Sequence, residues 1–181
     1  MAKARQEWGD AQLVRAIHEH MDGALYHIAD RANEASIDKH GLLSKVEAAA
    51  RGIRPEIPGG NSLTQFLDTR DGLDDYVFIS FFKTVLMPKD RSVDRLRRPM
   101  TLAIAPEILL LDGVEVRLGR GAGARRFKAM RAFYEMDWDV WFRPELREDM
   151  MGGKARWSTF LDYEVLVPKW VPRHYILGIT E

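Results

Sequence analysis

The sequence has no cysteine, which removes disulfides, thiolate metal sites and cysteine nucleophiles from consideration. It has no apolar run near the length of about 18 residues that a membrane-spanning helix needs. The opening stretch from Met1 to Trp8 mixes charged and small residues and lacks a basic-then-apolar leader, so a cytoplasmic protein is expected. Net charge is missing too: 27 Lys and Arg balance 27 Asp and Glu. That balance argues against a protein that clings to nucleic acid over its whole surface. No Gly-x-x-x-x-Gly-Lys-Ser/Thr run occurs, so a P-loop is excluded. The five histidines show no His-Glu-x-x-His spacing, and no metal is expected. Gly119 to Gly123 alternates glycines without the strand-to-helix setting of a dinucleotide fingerprint.

What is present fits one globular unit. The chain has 181 residues, 46% hydrophobic and 30% charged, enough for a single domain over 1–181, with a helix in 1–23 and a core in 24–181. Its charge is unevenly spread. Arg117 to Arg131 holds Arg117, Arg120, Arg125, Arg126, Lys128 and Arg131 with no acid, and Lys89 to Arg98 holds five basic residues against Asp90 and Asp94. Glu135 to Glu164, by contrast, holds eight acids and four bases. Such a split points either to local nucleic-acid contact or to two solvated faces that pair with each other.

Leu13, Ile17 and Met21 recur at helical spacing, and Gly23 ends that helix. Ala24 to Ile28 reads as a strand. Asp30 is placed to cap a second helix that carries Ile37 and stops at Gly41. The Gly- and Pro-rich stretch from Arg51 to Asn61 predicts a loop, and Ser62 to Asp68 a short helix. Tyr76 to Phe82, Met100 to Ala105, Val114 to Leu118, Leu161 to Val167 and Tyr175 to Ile179 predict strands. Pro106 to Leu111 predicts a helical turn, and Arg125 to Trp141 a helix broken at Pro144. Strand and helix do not alternate regularly, so the class is α+β rather than a doubly wound sheet.

Two features carry chemistry. His27 sits on the early strand, either hydrogen-bonded beside the core or facing a ligand. Asp162 and Glu164 stand two apart in an otherwise apolar strand, which puts them on one face. Carboxylates there are either on a wet outer face or paired and working, because desolvating a charge is costly.

The residues resemble a known family, the DarT-like ADP-ribosyltransferases. The likeness runs through Leu25-Tyr-His-Ile-Ala-Asp30, Asn33, Ser36 and Gly41-Leu-Leu-Ser44, then Phe66 to Arg70, Asp75 to Phe81 and Met87-Pro88. It continues in Ala105 to Gly113, Tyr163 to Pro168 and Val171-Pro172, in family order from about Leu25 to Ile176. The resemblance implies a split mixed or antiparallel β-sandwich with peripheral helices. It implies a transferase that cleaves NAD at the nicotinamide bond and passes ADP-ribose to a nucleobase, in DarT a base of single-stranded DNA. Such proteins are usually toxins held in check by a macrodomain antitoxin, DarG.

The matching positions make Glu164 the catalytic glutamate and Arg70 a phosphate-holding and catalytic arginine. They make His27, Asn33, Ser36 and Ser44 NAD-lining residues, with Ser80 either site or scaffold. Asp162 lies where the acceptor approaches, at a position where relatives often carry an amide. Arg125 and Arg126 are candidates for the nucleic-acid backbone, and Trp157, Phe81 or Phe82 for base stacking. Transfer to RNA or protein, or a binding module for NAD or nucleic acid with little activity, are the competing readings.

Overall fold

A computed structural model of the chain describes residues 2–58, 69–83, 96–119, 124–136, 138 and 161–180. Helix α1 (Ala2–His20) leads into strand β1 (Leu25–Asp30), a 3-10 turn (Arg31–Asn33) and helix α2 (Glu34–His40). A two-residue strand β2 (Leu42–Leu43) and helix α3 (Lys45–Ala50) follow. Next come β3 (Tyr76–Ser80), β4 (Pro99–Ile104), a 3-10 turn (Pro106–Leu110) and β5 (Glu115–Leu118). Strand β6 (Arg125–Lys128) runs into helix α4 (Ala129–Glu135); β7 (Glu164–Pro168), β8 (Trp170–Val171), a 3-10 turn (Arg173–Tyr175) and β9 (Ile176–Thr180) complete the series.

Seven strands form one antiparallel sheet in the order β6-β5-β7-β3-β1-β4-β9, and β2 pairs with β8 beside it. The register explains which face is buried. Ile79 lies opposite Val165 and Val165 opposite Val116, while Leu25 lies opposite Ile104. All five are buried, as the period-two alternation of apolar residues requires. Leu13 and Ile17 of α1, Ile108 and Leu109 of the 3-10 turn, and Ala129 and Ala132 of α4 join this core. Each fully buried Leu or Ile contributes roughly 1.5–3 kcal/mol relative to exposure. The α+β class expected from the sequence is borne out.

The sheet splits at its centre. Strand β1 pairs with β4 along six residues but with β3 only at Tyr26 opposite Ser80. Past that point β3 stays with β7 and β1 stays with β4. The small sheet is tied in on the same side. Gly41 ends α2 with φ 76°, and a Cβ there would run into the carbonyl oxygen of Val171 on β8. Lys169, between β7 and β8, is left-handed at φ 64°. Its N–H donates to the Asp75 carbonyl (2.7 Å) and its carbonyl accepts from the Ser44 N–H (2.7 Å).

Two expectations need correction. Arg125 to Lys128 is not helical: it is edge strand β6, paired residue for residue with β5, and of the expected helix the described residues show Ala129–Glu135 and, after a bend at Met136, helical Trp138. Strand β7 begins at Glu164, so Asp162 stands in the turn before it and the shared-face argument fails. The expected helix from Ser62 to Asp68, Met87-Pro88, Arg120, the stretch from Lys89 to Arg95 and Trp157 lie outside the described residues.

Candidate functional site

The split opens beside a cavity of about 590 Å³, within the ~300–1,000 Å³ of small-molecule sites. The end of β1, α2, β2, α3 and residues 52–58 form its walls. Four residues named from sequence line it: His27, Asn33, Ser36 and Ser44. Each has a different employment.

His27 occupies the breach between the strands. Its Nδ1 donates to the Phe78 carbonyl oxygen at 2.8 Å, an acceptor that lies on β3 where β1 no longer pairs with it. A carbonyl can only accept, so Nδ1 carries the proton and Nε2 is left as an acceptor. Burial pushes the imidazole below its ordinary value of 6.5, against the opposing effect of the Phe78 hydrogen bond. His27 is therefore neutral at pH 7.

Asn33 fixes the wall. Its Nδ2 donates to the Ile57 carbonyl (2.7 Å), and its Oδ1 accepts from the Glu56 N–H (2.9 Å), clamping the loop that closes the cavity. Ser44 caps α3: its buried hydroxyl accepts from the Glu47 N–H (3.1 Å) and donates to Asp75 Oδ1 (3.3 Å). Ser44-x-x-Glu47 is the spacing of a capping box, a signal readable in the sequence. Ser36 lines the cavity from α2.

Asp30 also lines the cavity, yet its carboxylate is spent on three backbone N–H groups, of Ala32 (2.9 Å), Arg97 (2.6 Å) and Arg98 (2.9 Å). The Ala32 and Arg98 bonds hold it below the ordinary carboxylate value, outweighing desolvation. With that carboxylate satisfied, the remaining ionic lining is cationic, from Lys45 and Arg54. Sequence reasoning missed both cations; the Gly- and Pro-rich loop that carries Arg54 was legible, its packing over α2 was not. Lys45 Nζ also bridges to Asp74 (2.7 Å). Among the described residues no group of three His, Asp or Glu is disposed to hold a metal.

The other candidates lie elsewhere. Glu164 does not line the cavity. It sits in a cross-strand row, Tyr26, Ser80, Glu164, Arg117 and Arg126, whose side chains share one face of the sheet. The row starts at Tyr26, whose side chain is on the opposite face of β1 from that of its neighbour His27, and reaches Glu164 two strands across, about 10 Å by strand spacing. Glu164 Oε2 is 3.6 Å from Arg117 Nη1. Ser80 is scaffold: its hydroxyl donates to the Phe82 carbonyl (3.0 Å) and accepts from the Phe82 N–H (3.2 Å). Phe81 is fully buried and Phe82 packs on the core, so neither is presented for stacking.

Arg70 is exposed outside the cavity, with its Nε on Asp71 at 2.9 Å. Arg125 and Arg126 face opposite sides of β6. Arg126 ends the Glu164 row and reaches Glu115 (3.6 Å), whereas Arg125 turns to Glu135 (3.2 Å) and the Phe127 ring.

No family model matches the sequence, and no curated protein matches it. Solved structures do. Thermosipho africanus DarTG in complex with ADP-ribose superposes with a TM-score of 0.64 at 18% identity, over 84% of this chain and 42% of that one. This chain thus spans under half the length of that protein. Thermus sp. 2.9 DarT in complex with ADP-ribosylated ssDNA gives 0.61 at 17% identity, over 85% and 78%. The same Thermus protein in complex with NAD+ gives 0.52 at 18%, over 85% and 79%. At these identities the likeness is one of architecture, and the chain has a DarT-like fold.

Proposed function

We propose that the chain is an NAD-dependent ADP-ribosyltransferase of one catalytic domain, which modifies a nucleobase of single-stranded DNA. The observation that carries this reading is the cavity at the split of a DarT-like sheet, walled by His27, Asn33, Ser36 and Ser44. Its lining suits an anionic dinucleotide: a neutral imidazole acceptor, hydroxyls, two cations, and a single carboxylate already consumed by backbone amides. NAD supplies the activated bond, between nicotinamide nitrogen and ribose.

The chain's own residues do the rest. His27 Nε2 accepts from a ribose or carboxamide donor, and Lys45 and Arg54 face the pyrophosphate. Arg70 stays outside the cavity, so a part in holding phosphates requires its guanidinium to leave Asp71. Glu164 meets the positive charge that grows on the ribose as nicotinamide leaves, an interaction strongest in the transition state. The base nitrogen bonds to the ribose carbon and gives up a proton, for which Asp162, in the turn entering β7, is the candidate acceptor. Arg126, at the β6 edge of the Glu164 row, offers an exposed cation suited to a phosphodiester strand. Action as a toxin opposed by a DarG-like macrodomain partner follows from the same resemblance. The described residues contain no helix long and apolar enough to cross a membrane.

The test is incubation of the full chain with adenylate-labelled NAD and three acceptors: single-stranded DNA, RNA and lysate protein. Nicotinamide release with label on the DNA is expected. Label on protein or RNA alone overturns the acceptor, and absence of nicotinamide release overturns the enzyme.

A further inference from the structure

Arginine inside a sheet demands a reason. Arg117 stands on β5 next to fully buried Val116, and only 6% of it is exposed. A guanidinium does not shed its proton, so burying one costs several kcal/mol unless a carboxylate faces it. The register supplies one: Arg117 lies directly opposite Glu164, on the same face. Their side chains are 8% and 19% exposed, with Nη1 and Oε2 3.6 Å apart. The next cation in the row, Arg126, reaches Glu115 instead. Arg117 is thus the described cation in register with Glu164.

We infer that Arg117 is a positioning residue for the transfer reaction, holding the Glu164 carboxylate aimed while touching neither NAD nor acceptor. This rests on Glu164 being the carboxylate that meets the ribose. At 3.6 Å the contact is longer than the ~2.7–2.9 Å of a charge-assisted hydrogen bond. It orients through charge and shape rather than closing around the carboxylate, which suits a group that must still turn to a substrate. The two strands enforce the arrangement: backbone pairing sets the Cα atoms opposite, and the core beneath Val116 and Val165 keeps them there.

A residue acting through Glu164 affects turnover and leaves NAD capture by the cavity walls alone. Nicotinamide release in the presence of a single-stranded oligonucleotide is measured for wild type, R117M, R117K and E164Q, with melting temperatures to establish folding. R117M is expected to lose kcat by ~10–100-fold, the range for residues that orient a reacting group. KM for NAD is expected to stay within roughly two-fold, as for loss of an interaction made only in the transition state. R117K, which restores the charge, is expected to recover most of the loss. A folded R117M with wild-type kcat, or R117K as impaired as R117M, overturns the inference. If R117M does not fold, R117Q takes its place: reduced kcat at unchanged KM supports the role, and wild-type kcat ends it. An inactive wild type, or E164Q as active as wild type, overturns the underlying reading of Glu164 whatever Arg117 does.

Discussion

The two halves of the sheet build their polar sites by opposite means. On the β1 side, polar side chains are spent on the backbone: Asp30 on three amides, Asn33 on the 56–57 loop, Ser44 on the start of α3, His27 on Phe78. On the β7 side, charged side chains face one another across strands, set by register: Glu164 with Arg117, Arg126 with Glu115. The first half is a shaped container whose polar residues hold the walls. The second is a line of charge whose residues are held by one another across strands. In such a division, damage to the first half alters shape and binding, and damage to the second alters rate.

The largest effect is expected from Glu164→Gln. Activity falls by ~10³-fold, equivalent to about 4 kcal/mol of transition-state stabilisation. NAD binding by calorimetry and the melting temperature stay near wild type; a parallel loss of NAD affinity breaks the comparison. Next is Gly41→Ala, which must fit a methyl group against the Val171 carbonyl at a left-handed backbone. It is expected to cost about 2–4 kcal/mol in denaturant unfolding and to weaken NAD binding as well. A smaller change is expected from Ser44→Ala, about 1 kcal/mol for the lost cap, with kcat unaltered at saturating NAD.

The smallest effect comes from pH. The folded chain holds His27 below 6.5 while the unfolded chain titrates near it. The unfolded state therefore binds more protons just below pH 6.5, and this stability contribution falls as pH drops through that window and is level above it. Unfolding series between pH 8 and 5 are expected to show this slope, and His27→Gln is expected to remove it.

Much of this was legible because burial leaves a period in the sequence. Tyr76 to Ser80 and Glu164 to Pro168 are dense in apolar, β-branched or aromatic residues, and Gly41 ends α2 as expected, whereas Asp30 caps the 3-10 turn before α2 and not α2 itself. Arg125 to Lys128 was misread because three cations around one Phe carry no strand period. They are the charges an exposed edge strand carries to avoid pairing with another chain, and they run without a break into the helical spacing of α4. The cavity residues were found by resemblance, whereas their tasks were not. Nothing in the sequence says that Asn33 reaches 24 positions along the chain to hold Ile57. Arg70 and Asp162 fall outside the two built regions because Arg70 stands on helical residues that end at the turn 71–72 and Asp162 in a turn, where position depends on tertiary contacts and not on period.

Lys169 has a mechanical consequence. Through one strained residue, the start of α3 and the chain entering β3 are both pinned to the β7–β8 corner, each by a 2.7 Å bond. The inner wall of the cavity therefore moves as one body with the strand that carries Glu164. In the outer wall, Gly52 and Ile53 are tied to the end of α3, and the stretch beyond them is held at residues 56 and 57 by the Asn33 amide. Widening of the cavity is therefore expected in that outer wall, with the register between β7 and its neighbours left undisturbed.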